Sequence, residues 1–305
     1  MPRTFVIVNP MASGARVPQI EVLLAEHLRA PWEYTVHMLT RGEDLAELIA
    51  EQIASGVDTV IAAGGDGTVR SVAASLVGTD IALGILPVGT ANIVAHDTGI
   101  PPRLEDALAL ITGEHDIMHL DAIQVDEAYA FLNVSLGLSA GIIRDTGASD
   151  KQRFGMLAYV WSGAKNLLAV GAKDVLLTVD GRERRLRATE VLIANCPSMG
   201  VPELRPSDKI SPADGVLQII AFRARHLGDY LGIGLELVLR RPRRRRHVQV
   251  FAAEHEVTIR TPESLDVQAD GDLIGCTPVT ARLVAGAVRL IVPRGGVRHV
   301  QQSVL

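Results

Sequence analysis

The first third of the chain alternates two hydrophobic patterns. Short unbroken apolar runs (TFVIVNP, VDTVIAA and IALGILP) end in turn residues, and YTVHML reads as a further strand. Between them lie stretches with helical spacing. QIEVLLAEHL sets Ile20, Leu23, Leu24 and Leu28 on one face, and EDLAELIAEQI and VRSVAASLV keep the same period. Strands alternating with helices of about ten residues predict an α/β domain with a parallel sheet covered by helices. In such sheets ligands bind beyond the carboxyl ends of the strands. Asn9, Thr40, residues 64–68 and residues 87–92 each follow a predicted strand, so they are expected to converge on one edge.

From residue 120 the pattern changes to period two. LDAIQVDEAYAFLNVSLGL, DVLLTVDG, RLRATEVLIAN, DGVLQIIAF, HVQVFAAEHEVTIRT, LDVQADG and AVRLIVP all read as strands, interrupted by helical patterns at 153–170 and 227–240. This predicts a mainly antiparallel β-sandwich. The expected division is an α/β domain at 1–119 and a β-rich domain at 120–293, with the tail 294–305 packing back on the first. Asp-Gly recurs at 66–67, 180–181, 214–215 and 270–271. Each pair is a turn by default.

Composition narrows the classes. A 305-residue chain that is 48% hydrophobic suits one large domain or two ordinary ones. No apolar run long enough to span a bilayer lacks a charge; the best candidate, 155–171, contains Lys165. The start enters a strand-like run directly, without the pattern of a secretory signal. Cys196 and Cys276 have no metal-ligand spacing and read as reduced thiols. A cytoplasmic protein is expected. Residues 1–119 carry 6 Arg, no Lys and 15 Asp and Glu, a net of −9, while the remainder carries a net of +4.

The missing lysine bears on GGDGT, residues 64–68. A tight turn is one reading. A dinucleotide fingerprint needs a further glycine that GGDGTV lacks, and no P-loop sequence occurs. A phosphate site without lysine would use backbone N–H groups, the Thr68 hydroxyl, a helix N-terminus and a divalent cation. That cation would give Asp66 its purpose.

AAGGDGTVRSVAASL followed by LGILPVGTANIVAHDTGIP resembles the diacylglycerol kinase catalytic domain, a family that includes bacterial lipid kinases and sphingosine kinases and is related to NAD kinases. VNPMASG, ISPADGVLQI and VQADGD are similar to its other motifs, so the resemblance spans about residues 4–293. It implies ATP as co-substrate and Mg2+ as cofactor. Asn9 and Thr40 would border the nucleotide. Gly64, Gly65, Asp66, Gly67, Thr68, Val69, Arg70 and Ser71 would cradle its phosphates, with Gly89, Thr90 and Asn92 opposite. Asp66 and Asp121 would serve a catalytic metal. Asp214, with backbone carbonyls near Ser211 and Leu217, would hold a structural one. Asp272 would be the general base and Asp66 the second catalytic residue. Plainer readings stand beside these: Asp272 and Asp214 as turn residues, Asp121 capping backbone amides, His96 and His119 as ordinary side chains.

Two positions depart from the family pattern. Ile93 stands where many bacterial members have Asp after the motif Asn, and Asp272 stands where Glu is commoner. The densest charge is RRPRRRR at 240–246. It reads as a solvated connector or, through Arg243, Arg244, Arg245 and Arg246, as a peripheral contact with an anionic membrane surface. Without aromatic interleaving, nucleic acid is not expected. The sequence reads as an ATP-dependent lipid kinase acting on a hydroxyl of diacylglycerol or a related lipid. An NAD kinase-like or other soluble-substrate kinase, and a non-catalytic nucleotide-binding regulator, remain as alternatives. A homodimer is left open.

Overall fold

The computed structural model describes residues 2–137, 140–141, 171–198, 210–223 and 248–295. The helical patterns at 153–170 and 227–240, and Arg243, Arg244, Arg245 and Arg246, lie outside these residues. The chain divides into two compact units: the described parts of Met1–Ala122 with Ala285–Leu305, and of Ile123–Val284.

The first unit follows its sequence pattern. Strand β1 (Arg3–Val8) buries five of its six residues. Helix α1 (Val17–His27) has proline in its first turn and buries Ile20, Leu23 and Leu24, the i, i+3, i+4 stripe of an amphipathic helix. After β2 (Glu33–Met38), helix α2 (Leu45–Ala54) is capped by Asp44, whose Oδ1 accepts from the amides of Ala46 at 3.0 Å and Glu47 at 3.2 Å. That satisfies two donors left unpaired at a helix start. Then come β3 (Thr59–Gly64), α3 (Asp66–Ser75), β4 (Ala82–Pro87), the short α4 (Ile93–Asp97), α5 (Leu104–Thr112) and β5 (Asp116–Val125). Strands β2, β1, β3 and β4 lie side by side and parallel. The end of β16 (Val279–Val292) adds to β4, pairing Arg289 with Ala82 and Leu290 with Leu83.

The second unit is the antiparallel β-sandwich. One sheet runs β12-β11-β10-β7-β14-β15 (Val248–Ala253, Leu217–Phe222, Glu190–Ala194, Asn133–Gly137, Asp266–Ala269, Asp272–Cys276). All its pairings are antiparallel. The other sheet is formed by β8 (Lys173–Val179), β9 (Arg182–Ala188), β13 (Glu256–Arg260) and the start of β16. Strand β6 (Ala128–Ala130) folds back on β5. Alternate residues meet in the middle: Val175, Leu177 and Ile259 from one sheet, Val191, Ile193 and Ile219 from the other.

Two of the Asp-Gly pairs make hairpin turns. Asp180 and Gly181 have φ of 45° and 78°, and Asp270 and Gly271 have 48° and 90°. Positive φ at both central residues matches the right-handed twist of the flanking strands. Each Asp also ties down another segment. Asp180 accepts from the amides of Glu254, His255 and Glu256, and these bonds hold its carboxyl below the usual range against the opposing effect of burial. Asp270 accepts from Phe131 at 2.7 Å and from Leu132 and Asn133 at 2.9 Å. Removing an acceptor strands its donors at about 1–3 kcal/mol each where they are buried. Asp270→Ala is therefore expected to lower stability by roughly 3 kcal/mol or more, read as a drop in the denaturant midpoint at unchanged slope.

Candidate active site

The register fixes where the loops after the strands lie. Val8 is opposite both Met38 and Ala63, and Gly64 is opposite Pro87, so β2, β1, β3 and β4 finish together. Asn9, Thr40, the GGDGT loop and the Gly89–Thr90–Asn92 loop thus emerge along one edge of the first unit, and hydrogen bonds join the segment that starts at Asn9 to both glycine loops. The Asn9 amide donates to the Ala63 carbonyl at 2.9 Å, and Asn9 Nδ2 donates to Thr68 Oγ1 at 2.9 Å. Ser13 Oγ and Thr90 Oγ1 are 2.9 Å apart, and the Gly14 amide donates to the Val88 carbonyl at 2.8 Å.

Three glycines let these loops touch. A Cβ on Gly64 would lie 2.3 Å from Thr68 Cβ, and one on Gly89 would lie 2.4 Å from Gly65 Cα and 2.7 Å from Asn92 Oδ1. None of the three has a positive φ, so steric space, not backbone conformation, selects glycine here. Asn92 does adopt a left-handed conformation, φ 48°, and grips Gly89 through both of its side-chain atoms at 2.9 and 2.8 Å. Gly89→Ala is expected to cost about 1–3 kcal/mol, because backbone must move to admit the methyl group. Thermal melting with and without ATP checks it: the midpoint falls and nucleotide protection falls with it.

Asp66 has a structural task that the sequence did not announce. Its Oδ1 accepts from the Ile93 amide at 2.6 Å, and the amides of Asn92 and Val94 also contribute. The carboxylate of one motif caps the helix of the next. Burial raises its carboxyl above the ordinary range despite these bonds. Ile93 is itself buried, and it meets Asp66 through its backbone. Val69 is buried in α3 and Arg70 is half-buried, while the Ser71 hydroxyl donates to the Gly67 carbonyl at 3.0 Å. Thr40 gives its amide and its hydroxyl to Glu43 Oε2 at 3.0 and 3.1 Å. His37 Nε2 stands 2.7 Å from Glu43 Oε1, and His37 and Thr40 together hold that carboxyl below the usual range.

The remaining candidates are placed as follows. Asp121 is buried in β5, and its Oδ1 accepts from the Gly286 amide at 2.8 Å. In the second unit, Asp214 Oδ1 accepts from the Val216 amide at 3.0 Å, beside buried Ser211 and buried Leu217. Asp272 is the exposed first residue of β15. Its turn is held by Asp270 and by Gln268, whose Oε1 accepts from the Gly271 amide at 2.8 Å. Sequence reasoning missed the Asp270 and Gln268 roles; the only signal was the first Asp of DGD itself.

An anion fits the first unit's edge. Gly67 is exposed in the first turn of the ten-residue helix α3, with nothing within 4 Å of where a Cβ would stand, and the amides and dipole of a helix start favour negative charge. Among the described residues no three Asp, Glu, His or Cys side chains gather to hold a metal. Mg2+ suits such a place only as an ion that keeps several waters and shares a nucleotide's phosphates.

Residues 3–125 match the diacylglycerol kinase catalytic domain, and residues 133–292 match the YegS C-terminal NAD kinase beta sandwich-like domain. The Escherichia coli O9:H4 protein named "Probable lipid kinase YegS" is 30% identical over 274 residues, 88% of this chain and 86% of that one. A Synechocystis protein, sll0036, is 26% identical over 94% of this chain and 69% of its own. A solved structure described as a diacylglycerol kinase from Bacillus anthracis str. Sterne aligns with a TM-score of 0.76 at 23% identity, covering 96% of this chain and 97% of that one. At that identity the likeness establishes the fold.

Proposed function

The chain belongs to the diacylglycerol kinase catalytic domain family, and on that premise we propose that it transfers the γ-phosphate of ATP to a hydroxyl of diacylglycerol or a related lipid. The observation that carries this reading is the joined edge of the first unit: lysine-free loops packed through glycines, with the half-buried carboxylate of Asp66 tying one to the next. Phosphoryl transfer needs positioning and offset charge more than covalent chemistry. Asn9 donates to Thr68 Oγ1, which leaves the Thr68 hydroxyl proton to be given to a phosphate. Ser13 and Thr90 share one hydrogen bond and offer a second hydroxyl donor. Bound Mg2+ would offset charge on the phosphates, held through its waters by Asp66, with Asp121 assigned to the same ion on the family resemblance alone. Asp272 is assigned to take the proton of the acceptor hydroxyl as that oxygen bonds to the γ-phosphorus and the bond from the γ-phosphorus to the β–γ bridging oxygen breaks, with ADP leaving.

ADP release in the presence of diacylglycerol micelles, against NAD in the same buffer, tests the reading. Lipid-dependent release supports it; NAD-dependent release moves the chain to the soluble-substrate alternative. The buried Ile93, where many bacterial members of the family pattern carry Asp, favours one further reading, a regulator that binds nucleotide without turnover. That reading predicts thermal protection by ATP and no ADP in either assay.

A lipid acceptor requires a meeting with membrane. The run of arginines at 240–246 is proposed as a peripheral contact, at roughly 1 kcal/mol for each basic residue near an anionic surface. No described helix is long and apolar enough to cross a membrane. Replacing Arg243, Arg244, Arg245 and Arg246 by Ser is expected to weaken sedimentation with anionic vesicles while leaving turnover on micelles nearly unchanged. Wild-type binding should fade with salt, since the screening length is about 8 Å at physiological ionic strength.

A further inference from the structure

The second unit carries a basic groove that the kinase reading does not use. It has a volume of about 770 Å3 and is lined by four arginines, Arg185, Arg187, Arg223 and Arg260, against one aspartate, Asp174. The strand register explains how the charge collects. Arg185 on β9 pairs with Leu176 on β8, and Leu176 pairs with Arg260 on β13. Directly opposed residues share a face of the sheet, so two guanidinium groups flank half-buried Leu176 in a single row. Their Cα atoms are two strand spacings apart, about 10 Å, and flexible side chains of that length can meet at one anion between them.

The neighbouring acids are committed. Arg187 Nε lies 3.3 Å from Asp174 Oδ1, and Lys173 Nζ lies 2.7 Å from Glu263 Oε2. Among the described residues, the side chains of Arg185 and Arg260 make no ion pair and no hydrogen bond. Both are exposed. Two like charges in one row repel, and an anion between them relieves that. The other side of the groove is closed by Arg223 and Gln249, at the end of β11 and the start of β12. A guanidinium fork matches phosphate oxygens two at a time. Leu176 beneath the row gives the same surface an apolar component.

We propose that this groove seats the phosphate of an anionic phospholipid at a membrane surface, with Arg185 and Arg260 as its principal ligands. The inference goes beyond the kinase reading, because it requires no phosphoryl transfer.

Co-sedimentation with phosphatidylglycerol vesicles and with phosphatidylcholine vesicles tests it in the full chain. Arg185→Gln/Arg260→Gln is expected to weaken binding to phosphatidylglycerol roughly 30-fold, the loss of two favourable surface cations, and to leave phosphatidylcholine unaffected. The control is Arg182→Gln/Arg184→Gln, which removes the same charge from alternate positions of the same strand; melting curves establish that both variants fold. Less than about a threefold loss in the control supports a site. Equal losses in the two variants overturn it in favour of diffuse charge attraction, and no loss in the first overturns it outright. Titration with glycerol 3-phosphate separates the sources of phosphate. Weak binding that leaves the protein on the vesicles supports the lipid; tight binding that releases it overturns the lipid assignment.

Discussion

Asp66→Asn is expected to reduce phosphoryl transfer by roughly 100- to 1,000-fold, the range for losing a preorganised group that stabilises developing charge, while the protein remains folded. Asparagine keeps an oxygen that can accept from the Ile93 amide, so the link between GGDGT and α4 survives. What it loses is the charge, and with it any hold on a cation. A charge-assisted bond exceeds a neutral one by about 1 kcal/mol, and stability should fall by no more than that. Asp66→Ala behaves differently. It also strands the Ile93 amide, at a further cost of about 1–3 kcal/mol, and should lower the melting point as well as abolish transfer. The pH dependence carries the same signature. Burial raises the Asp66 carboxyl, so the group takes up its proton at a higher pH than an ordinary aspartate. The acid limb of nucleotide binding should therefore lie above the usual carboxylate range, and Asn should erase it. The sign for stability follows: the folded state favours the protonated form, and this contribution is lost as pH rises through the raised value. A full-activity Asn variant would reduce Asp66 to its capping role.

Asp272→Asn is expected to lower turnover by roughly 100-fold or more, the usual contribution of a positioned general base, with lipid binding retained. The hairpin makes this a clean substitution. Asp270 and Gln268 hold the turn, and Asp272 is exposed at the head of an edge strand. The Asn variant should melt like the wild type, whereas Asp270→Ala should melt early. The shorter side chain of Asp, relative to the commoner Glu, makes Asp272→Glu informative too. It should retain most of the activity, because the carboxylate and its intrinsic pKa are kept. Full turnover in Asp272→Asn would place the base elsewhere.

The first unit was legible because its information is local. Apolar runs gave β1, β3 and β4, the 3.6-residue period gave α1 and α2, and the rule that ligands sit beyond strand ends placed Asn9, Thr40 and the two glycine loops on one edge. Contacts between distant segments were not legible. GGDGT offers no sign that Asp66 caps α4, 27 residues on, nor that Gly65 must admit Gly89. Helix α5 was hidden behind IPPR, although Ala107, Leu108 and Ile111 form a regular stripe. The long strand β16 was seen only as its last stretch. Gly286 at φ 60° interrupts its pattern, and its end pairs with β4 some 200 residues away in sequence. In DGD, Asp272 resembles a catalytic acid, while the hydrogen bonding of the turn belongs to Asp270.

Transfer of the γ-phosphate of ATP to a lipid hydroxyl, as proposed above, has a direct test. It is incubation of the protein with γ-labelled ATP, Mg2+ and a mixed panel of hydroxyl-bearing lipids, followed by organic extraction. The account predicts label in a single lipid product with wild type, label reduced by two orders of magnitude or more with Asp66→Asn, and none without Mg2+. Label that stays wholly in the aqueous phase, from protein that ATP nonetheless protects against melting, would contradict it.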